Sequence, residues 1–442
     1  MLVSMSLTAD LLAEPDCAAL FEPAAFVQTL LDVEAALALA RADAGLQSWP
    51  SAREVQAAGR VEHFDLPALI AAGRRGGTVV APLVAALAAR LSGEAEAELH
   101  AGATSQDLID TALVLQTRRA LVLIEAEIFA AAKALLALAD AHPGQPALAR
   151  TLLQPAGVLP LKLRLAQWLQ ALLGGIEPLR AAAAGALQLQ FGGSAGRGAP
   201  EAVATALGRN LGLAVPTLCW QTRRADWLRL AAELALLSGS AAKIAEDLAL
   251  LSLPEVGEAG FAGGGASSAM PHKRNPAALM RALAAAHAQP QRLATLLAAM
   301  PQQLERALGP WQAELAAWPD LVVGAHAALA ALREALQGLS FDPTRLQANL
   351  DAQHGALQAE ALARALAPRL GRAAAQAQVA AWCARIGPGL HLRDLAGPEF
   401  AAVFNAPPDE APAERVLAAW RHRLPHLQPE AYTHGDPHVP TA

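Results

Sequence analysis

From Leu230 to Leu251 one apolar seam runs without a break. Leu230, Leu234, Leu237, Ala241, Ile244, Leu248 and Leu251 are separated alternately by four and three residues. Arg229, Glu233, Lys243 and Asp247 fall off that seam. A four–three alternation keeps one stripe of a helix facing the same neighbour along its whole length, the requirement of lengthwise packing in a bundle or coiled coil. The spacing predicts a helix over about 225–253. Recurrent apolar positions from Leu121 to Leu138 predict a second over 111–141, closed by His142-Pro143-Gly144. A third is expected over about 156–190. A fourth starts with Asn275 as N-cap and Pro276 in its first turn and runs to about Met300. A fifth covers 311–338.

The expected architecture is all-α: a long central bundle over 111–343 between smaller helical domains at 1–110 and 344–442. The first region reads as short helices interrupted at Trp49-Pro50-Ser51 and Gly76-Gly77, and Phe341-Asp342-Pro343 as the hinge into the last. The His- and Pro-rich tail from Leu427 is expected to be poorly ordered. A length of 442 residues is compatible with this division. Hydrophobic residues make up 54% but aromatics only 4%, so Ala and Leu, strong helix formers, supply the apolar mass. That composition excludes a disordered chain, collagen and a disulfide scaffold.

Lys and Arg number 34 against 40 Asp and Glu, a net charge of −6, which argues against nucleic acid as partner. Cys17, Cys219 and Cys383 show no CxxC or CxxH spacing, so no metal site is expected. The first residues, MLVSMSLTADLLAEPD, lack the basic start of a signal peptide. The most apolar stretch, from Ala120, is broken by Glu125, Glu127 and Lys133 and is too charged to span a membrane. A cytoplasmic protein is expected.

Chemistry concentrates in three places. The run GGGASSAMPHKRNP, from Gly263 to Pro276, joins a flexible loop and two hydroxyls to a basic triplet at a helix start. Backbone N–H groups and the helix dipole there would favour an anion beside Lys273 and Arg274 and lower the pKa of a nearby serine. It has neither the spacing nor the preceding strand of a P-loop. HAGATSQDLIDT, from His100 to Thr111, gathers polar groups before a long helix, and helix capping alone would account for Ser105 and Asp107. RTLLQPA, from Arg150 to Ala156, is polar punctuation, and FGGSAG from Phe191 reads as a turn. Taken singly, each has an ordinary structural explanation.

Together, in this order and at these separations, they resemble the three shared segments of the fumarase/aspartase superfamily. ASSAMPHKRNP resembles its signature loop, here 257–276. The fuller wording, with QFGGSAG, LGLAVPTLCWQTRRADW and ERALGPWQAE, is most like its bacterial lactone-forming cycloisomerases. The resemblance implies a homotetramer with active sites shared by three subunits, no cofactor, and a small tricarboxylate substrate. The reaction implied is reversible lactonisation of a carboxylated muconate in protocatechuate breakdown, the β-ketoadipate pathway. It also implies roles. Ser267 is the expected proton-transfer group, with Lys273 and Asn275 stabilising charge on the carboxylate. His100, Thr104, Ser105, Gln154, Ser268 and Met270 bind substrate.

Two departures bear on the reaction. Amine-releasing and hydrating relatives carry a histidine where this chain has Leu152, and adenylosuccinate lyases a second where it has Pro155. An amine or hydroxide needs a proton to leave, whereas a carboxylate, with a pKa of about 4, does not. Leu152 therefore favours a cycloisomerase. The alternative is adenylosuccinate lyase or another lyase that eliminates to fumarate. Ala266 replaces a usual glycine of the signature loop, and Gln376 stands where a histidine is expected.

Overall fold

The computed structural model describes residues 11–266 and 270–432, so Ser267 and Ser268 lie outside the described residues. The protein is built on helices, and the strands among the described residues form three two-stranded pairings. The seam is the core of the Ala225–Leu251 helix: all seven of its residues are buried, while Arg229 and Lys243 face solvent. The Pro310–Gln337 helix is the hub of the bundle. It packs on Ser105–Ala141, Ala225–Leu251, Ala277–His287 and Gln289–Ala298. Trp227 and Trp318 stack at 3.7 Å between centroids where two of these helices meet. Pro23–Asp43 and Pro310–Gln337 are long and apolar enough to cross a membrane, but more than half of each apolar window is buried in the core.

Several expectations are corrected. The segment 156–190 is not one helix. It starts as the second strand of an antiparallel hairpin, Pro146–Thr151 with Gln154–Pro160, and continues as helices Leu161–Leu173 and Ile176–Ala186. The break falls at Gly174-Gly175, where a Cβ on Gly175 would stand 2.5 Å from Leu237 Cδ2 of the seam helix. Close approach to the seam sets that break.

Asn275 is not an N-cap. It lies in the short strand Arg274–Asn275, opposite Gly265, and Pro276 precedes the Ala277–His287 helix. Gly264, at φ +125°, could not carry a side chain, because a Cβ would meet the Asn275 carbonyl oxygen at 2.8 Å. The fourth helix also ends early, at His287, and a separate one, Gln289–Ala298, follows with a proline in its first turn.

In the first hundred residues, Pro23–Asp43 is a single helix of 21 residues. Trp49-Pro50-Ser51 opens a helix rather than interrupting one, with Ser48 Oγ accepting from Ser51 N. Near the other end, Leu339–Phe341 pairs with Ala259–Phe261 and Asp342 caps the following helix. Residues from Leu362 to Phe400 form a separate small core, whereas Leu417, Trp420 and Tyr432 join the main one.

The tail is docked as far as it is described. Tyr432 is buried with its hydroxyl on Glu125, Glu430 N donates to the same carboxylate at 2.9 Å, and Arg180 donates to Gln428 O at 2.7 Å. A buried carboxylate attracts donors whatever the local sequence looks like. Residues 433–442 lie outside the described residues.

Candidate active site

The Ser105–Ala141 helix starts from a tight turn. Ala103 N donates to His100 O at 3.2 Å, His100 sits at φ +60° and Gly102 at φ +81°. Thr104 is the N-cap and Ser105 the first helical residue. Asp107, the third, is more than a cap. Its carboxylate, 1% exposed, accepts from Thr104 N at 3.1 Å, Gly192 N at 2.9 Å and Gly193 N at 2.8 Å. The Gln190 and Gln221 side-chain amides add donors at 3.2 and 3.3 Å. One carboxylate thus ties the His100–Ser105 turn to the Gly192–Ser194 loop. Burial pushes Asp107 up to about 6, against the pull of those donors. Glycine at 192 and 193 permits the approach: a Cβ at Gly192 would meet Cys219 Sγ at 2.8 Å, and one at Gly193 the Gly102 carbonyl at 3.1 Å.

Arg306 closes this cluster from the segment before the Pro310–Gln337 helix. Its Nη2 donates to Thr104 Oγ1 at 2.8 Å and Ser194 O at 3.2 Å, with the side chain exposed. His100 Nδ1 stands 2.5 Å from Glu34 Oε1. Beneath the turn, fully buried Arg224 pairs with Asp110 and Glu314, and its guanidinium lies 4.4 Å from the Trp220 ring centroid. Trp311 Nε1 donates to Asp110 at 2.9 Å. This network fastens the start of the Ser105–Ala141 helix to the starts of the Ala225–Leu251 and Pro310–Gln337 helices.

The other candidates lie apart. Gln154 is exposed and pairs with Thr151 across a two-residue turn, Leu152 and Leu153, at φ +50° and +62°. These leucines are 96% and 67% exposed. Arg150 anchors the hairpin through a bidentate pair, at 2.6 and 3.1 Å, with fully buried Glu258. Lys273 is exposed and its N–H closes a turn on Met270 O at 3.0 Å, with Asn275 two residues beyond. Among the described residues, no hydrogen bond or ion pair joins Gln154, Lys273 or Asn275 to the Thr104 cluster. No group of three His, Cys, Asp or Glu side chains among those residues is arranged to hold a metal ion.

Sequence reasoning placed His100, Thr104 and Ser105 in one turn but missed Glu34, Gln190 and Gln221. Glu34 had a signal, a carboxylate set among Leu30, Leu31, Val33 and Leu37 on an apolar helix and, unlike its neighbour Asp32, fully buried.

A family model described as lyase matches residues 18–287. The chain is 42% identical over 378 residues to a 3-carboxy-cis,cis-muconate cycloisomerase of Pseudomonas aeruginosa, covering 83% of this chain and 82% of that protein. It is 38% identical over 399 residues to the enzyme of the same name from Bradyrhizobium diazoefficiens, covering 88% of each. The crystal structure of 3-carboxy-cis,cis-muconate lactonizing enzyme from Pseudomonas putida superposes with a TM-score of 0.87 at 35% identity, covering 95% of this chain and 99% of that one.

Proposed function

The chain belongs to the lyase family of the fumarase/aspartase superfamily, and on that premise we propose that it is a cycloisomerase acting on 3-carboxy-cis,cis-muconate. A carboxylate of the substrate adds across the neighbouring double bond, closing a lactone, while a proton is delivered to the adjacent carbon. The reverse step removes that proton and expels the carboxylate. The observation that carries this reading is Leu152. At the tip of the hairpin bearing Gln154, the side chain offers no proton to a leaving group, and a departing carboxylate needs none.

The Thr104 cluster supports a polyanionic substrate. The Arg306 guanidinium, the Thr104 and Ser105 hydroxyls and the His100 imidazole converge on one turn, with the charged donors that hold carboxylates best. Ser267 is the proposed proton-transfer group and Lys273 and Asn275 the stabilisers of the aci-carboxylate, where charge develops. Gln154, Ser268 and Met270 complete the binding set. Substrate and signature loop would exclude water together, which strengthens every such contact.

We read the working form as a homotetramer whose sites draw on three subunits, with the central bundle of 111–343 as its core between the 1–110 and 344–442 domains. Two features support this. Among the described residues no hydrogen bond or ion pair joins the Gln154 and Lys273 segments to the Thr104 cluster, and Leu152, Leu153, Leu236, Met280 and Leu297 leave apolar surface uncovered on one chain. A cytoplasmic place in protocatechuate breakdown goes with this reading.

The test is direct. Purified protein is mixed with 3-carboxymuconate and the loss of the diene's ultraviolet absorbance is followed, with adenylosuccinate in parallel. Turnover of adenylosuccinate alone overturns the reading. Ser267→Ala should abolish turnover while leaving the oligomer intact.

A further inference from the structure

Glu34 is anomalous in its setting. It sits in the middle of the apolar Pro23–Asp43 helix, 1% exposed, among buried Leu30, Leu31, Val33 and Leu37. Its Oε1 meets His100 Nδ1 at 2.5 Å, and its Oε2 has no hydrogen-bond partner among the described residues. A carboxylate withdrawn from water among aliphatic side chains is costly unless a cation neutralises it. Among the described residues, His100 is the one group within ion-pair distance that can do so.

We infer that Glu34 is a positioning residue for the proposed reaction: it holds His100 as an imidazolium whose Nε2–H is presented to a substrate carboxylate beside Thr104 and Ser105. The inference rests on the reading above, in which this turn binds substrate.

The geometry fits that task. With Nδ1 engaged, Nε2 is the ring donor left over, and the His100 side chain is 20% exposed. The left-handed backbone at His100 is a conformation that a non-glycine residue keeps only when its surroundings impose it. Here the turn closed by Ala103 N on His100 O, and the bond to Glu34, impose it. The ring and the Thr104 hydroxyl are thereby fixed at opposite ends of one four-residue step.

The charges around the ring agree. Burial works against the imidazolium, but the hydrogen bond and charge of Glu34, with the charge of Asp107, outweigh it and move His100 above its usual value. From the Gly93–Glu98 helix the nearest charge in sequence is Glu98, already paired with Arg41. Arg306, from the far side of the turn, is engaged with Thr104. His100 therefore keeps its positive charge further into alkali than a free imidazole does, and loses it as pH rises through that raised value.

The variant is Glu34→Gln, which keeps the shape and an acceptor for Nδ1–H but removes the charge. Two readouts are needed. The first is the His100 titration, followed by NMR of protein labelled with 13C at histidine Cε1 and assigned by loss of its signal in His100→Asn. Wild-type His100 should titrate above a free imidazole and move down by about one unit in Glu34→Gln. The second is the pH dependence of KM and kcat on 3-carboxymuconate. Near pH 8, Glu34→Gln should raise KM about tenfold and leave kcat within about threefold, and the KM penalty should shrink towards pH 6 as the imidazole regains its proton.

Wild-type His100 titrating at or below a free imidazole overturns the proposal, and this readout needs neither the variant nor a substrate. An unchanged KM–pH profile in Glu34→Gln also overturns it. If His100 titrates as expected while 3-carboxymuconate is not turned over, the pairing stands and the functional reading falls.

Discussion

Arg306 Nη2 donates to Thr104 Oγ1 at 2.8 Å, joining residues 202 positions apart. The guanidinium reaches the first turn of a long helix from an irregular segment, and its remaining N–H groups are free of other side chains among the described residues. On the proposed reading, those groups bind a substrate carboxylate.

Arg306→Gln should therefore weaken substrate binding more than it affects folding. A charge-assisted hydrogen bond is worth about 2 kcal/mol, so KM is expected to rise about thirtyfold while thermal unfolding stays unchanged, the side chain being exposed. Steady-state kinetics beside a melting curve decide it. A large stability loss with an unaltered KM would count against a binding role.

Asp107 should impose an acid limit on activity that stability does not share. With its pKa raised from 3.8 to about 6, the folded state takes up a proton that the unfolded chain does not take until more acid pH. Between those two values this group makes the fold more stable as pH falls. The same proton weakens its hold on Thr104, Gly192 and Gly193, so kcat/KM should decline below about pH 6. Activity and denaturation profiles across pH 5–8 should diverge, and Asp107→Asn should lower kcat/KM throughout.

Arg224 answers for two buried carboxylates. Arg224→Met leaves Asp110 and Glu314 facing each other without their cation, at a cost of about 3–5 kcal/mol. Adding Asp110→Asn and Glu314→Gln should recover part of that loss, because the burden is charge rather than volume. Denaturant midpoints of the two variants measure it, and equal midpoints would refute the account.

The Leu152–Leu153 turn should be easy to stabilise and hard to change. Both central residues have positive φ, the geometry that Asn-Gly adopts without strain. Leu152→Asn with Leu153→Gly is expected to relieve about 1 kcal/mol of backbone strain. If the exposed leucines serve a neighbouring subunit's site, turnover falls or the oligomer loosens even so. A more stable variant with full activity in an intact oligomer would show that the tip has no such use.

Tyr432→Phe removes a buried donor from Glu125 and should lower stability by about 1–3 kcal/mol without altering kcat. Unchanged thermal unfolding would mean that the Tyr432 hydroxyl adds nothing to the fold.

What the sequence made legible was local and periodic. The seam helix emerged to within two residues because a four–three spacing needs no partner to be recognised. The strand at Asn275 was invisible, since its cause is Gly265 ten residues earlier and not its own Asn-Pro start. The hairpin before Leu161 carries Pro and Gly in place of alternation, so the 156–190 segment read as helix. At the site, Thr104 and Ser105 were legible as a cap. Asp107 was legible only as a cap, because its other partners arrive from 85 and 86 positions away. Glu34 could be noticed as out of place but not assigned, for nothing near it in sequence names His100 as its partner.

The contact between Glu125 and Tyr432 spans 307 positions and so also sets an order of events during synthesis. Translation at about 5–20 residues per second leaves roughly 15–60 s between the appearance of the two residues. For that interval the middle of the Ser105–Ala141 helix carries a carboxylate with Arg180 but without its phenol. The hydrogen bonding of this buried carboxylate is therefore completed late, after the bundle helices it ties together have been made.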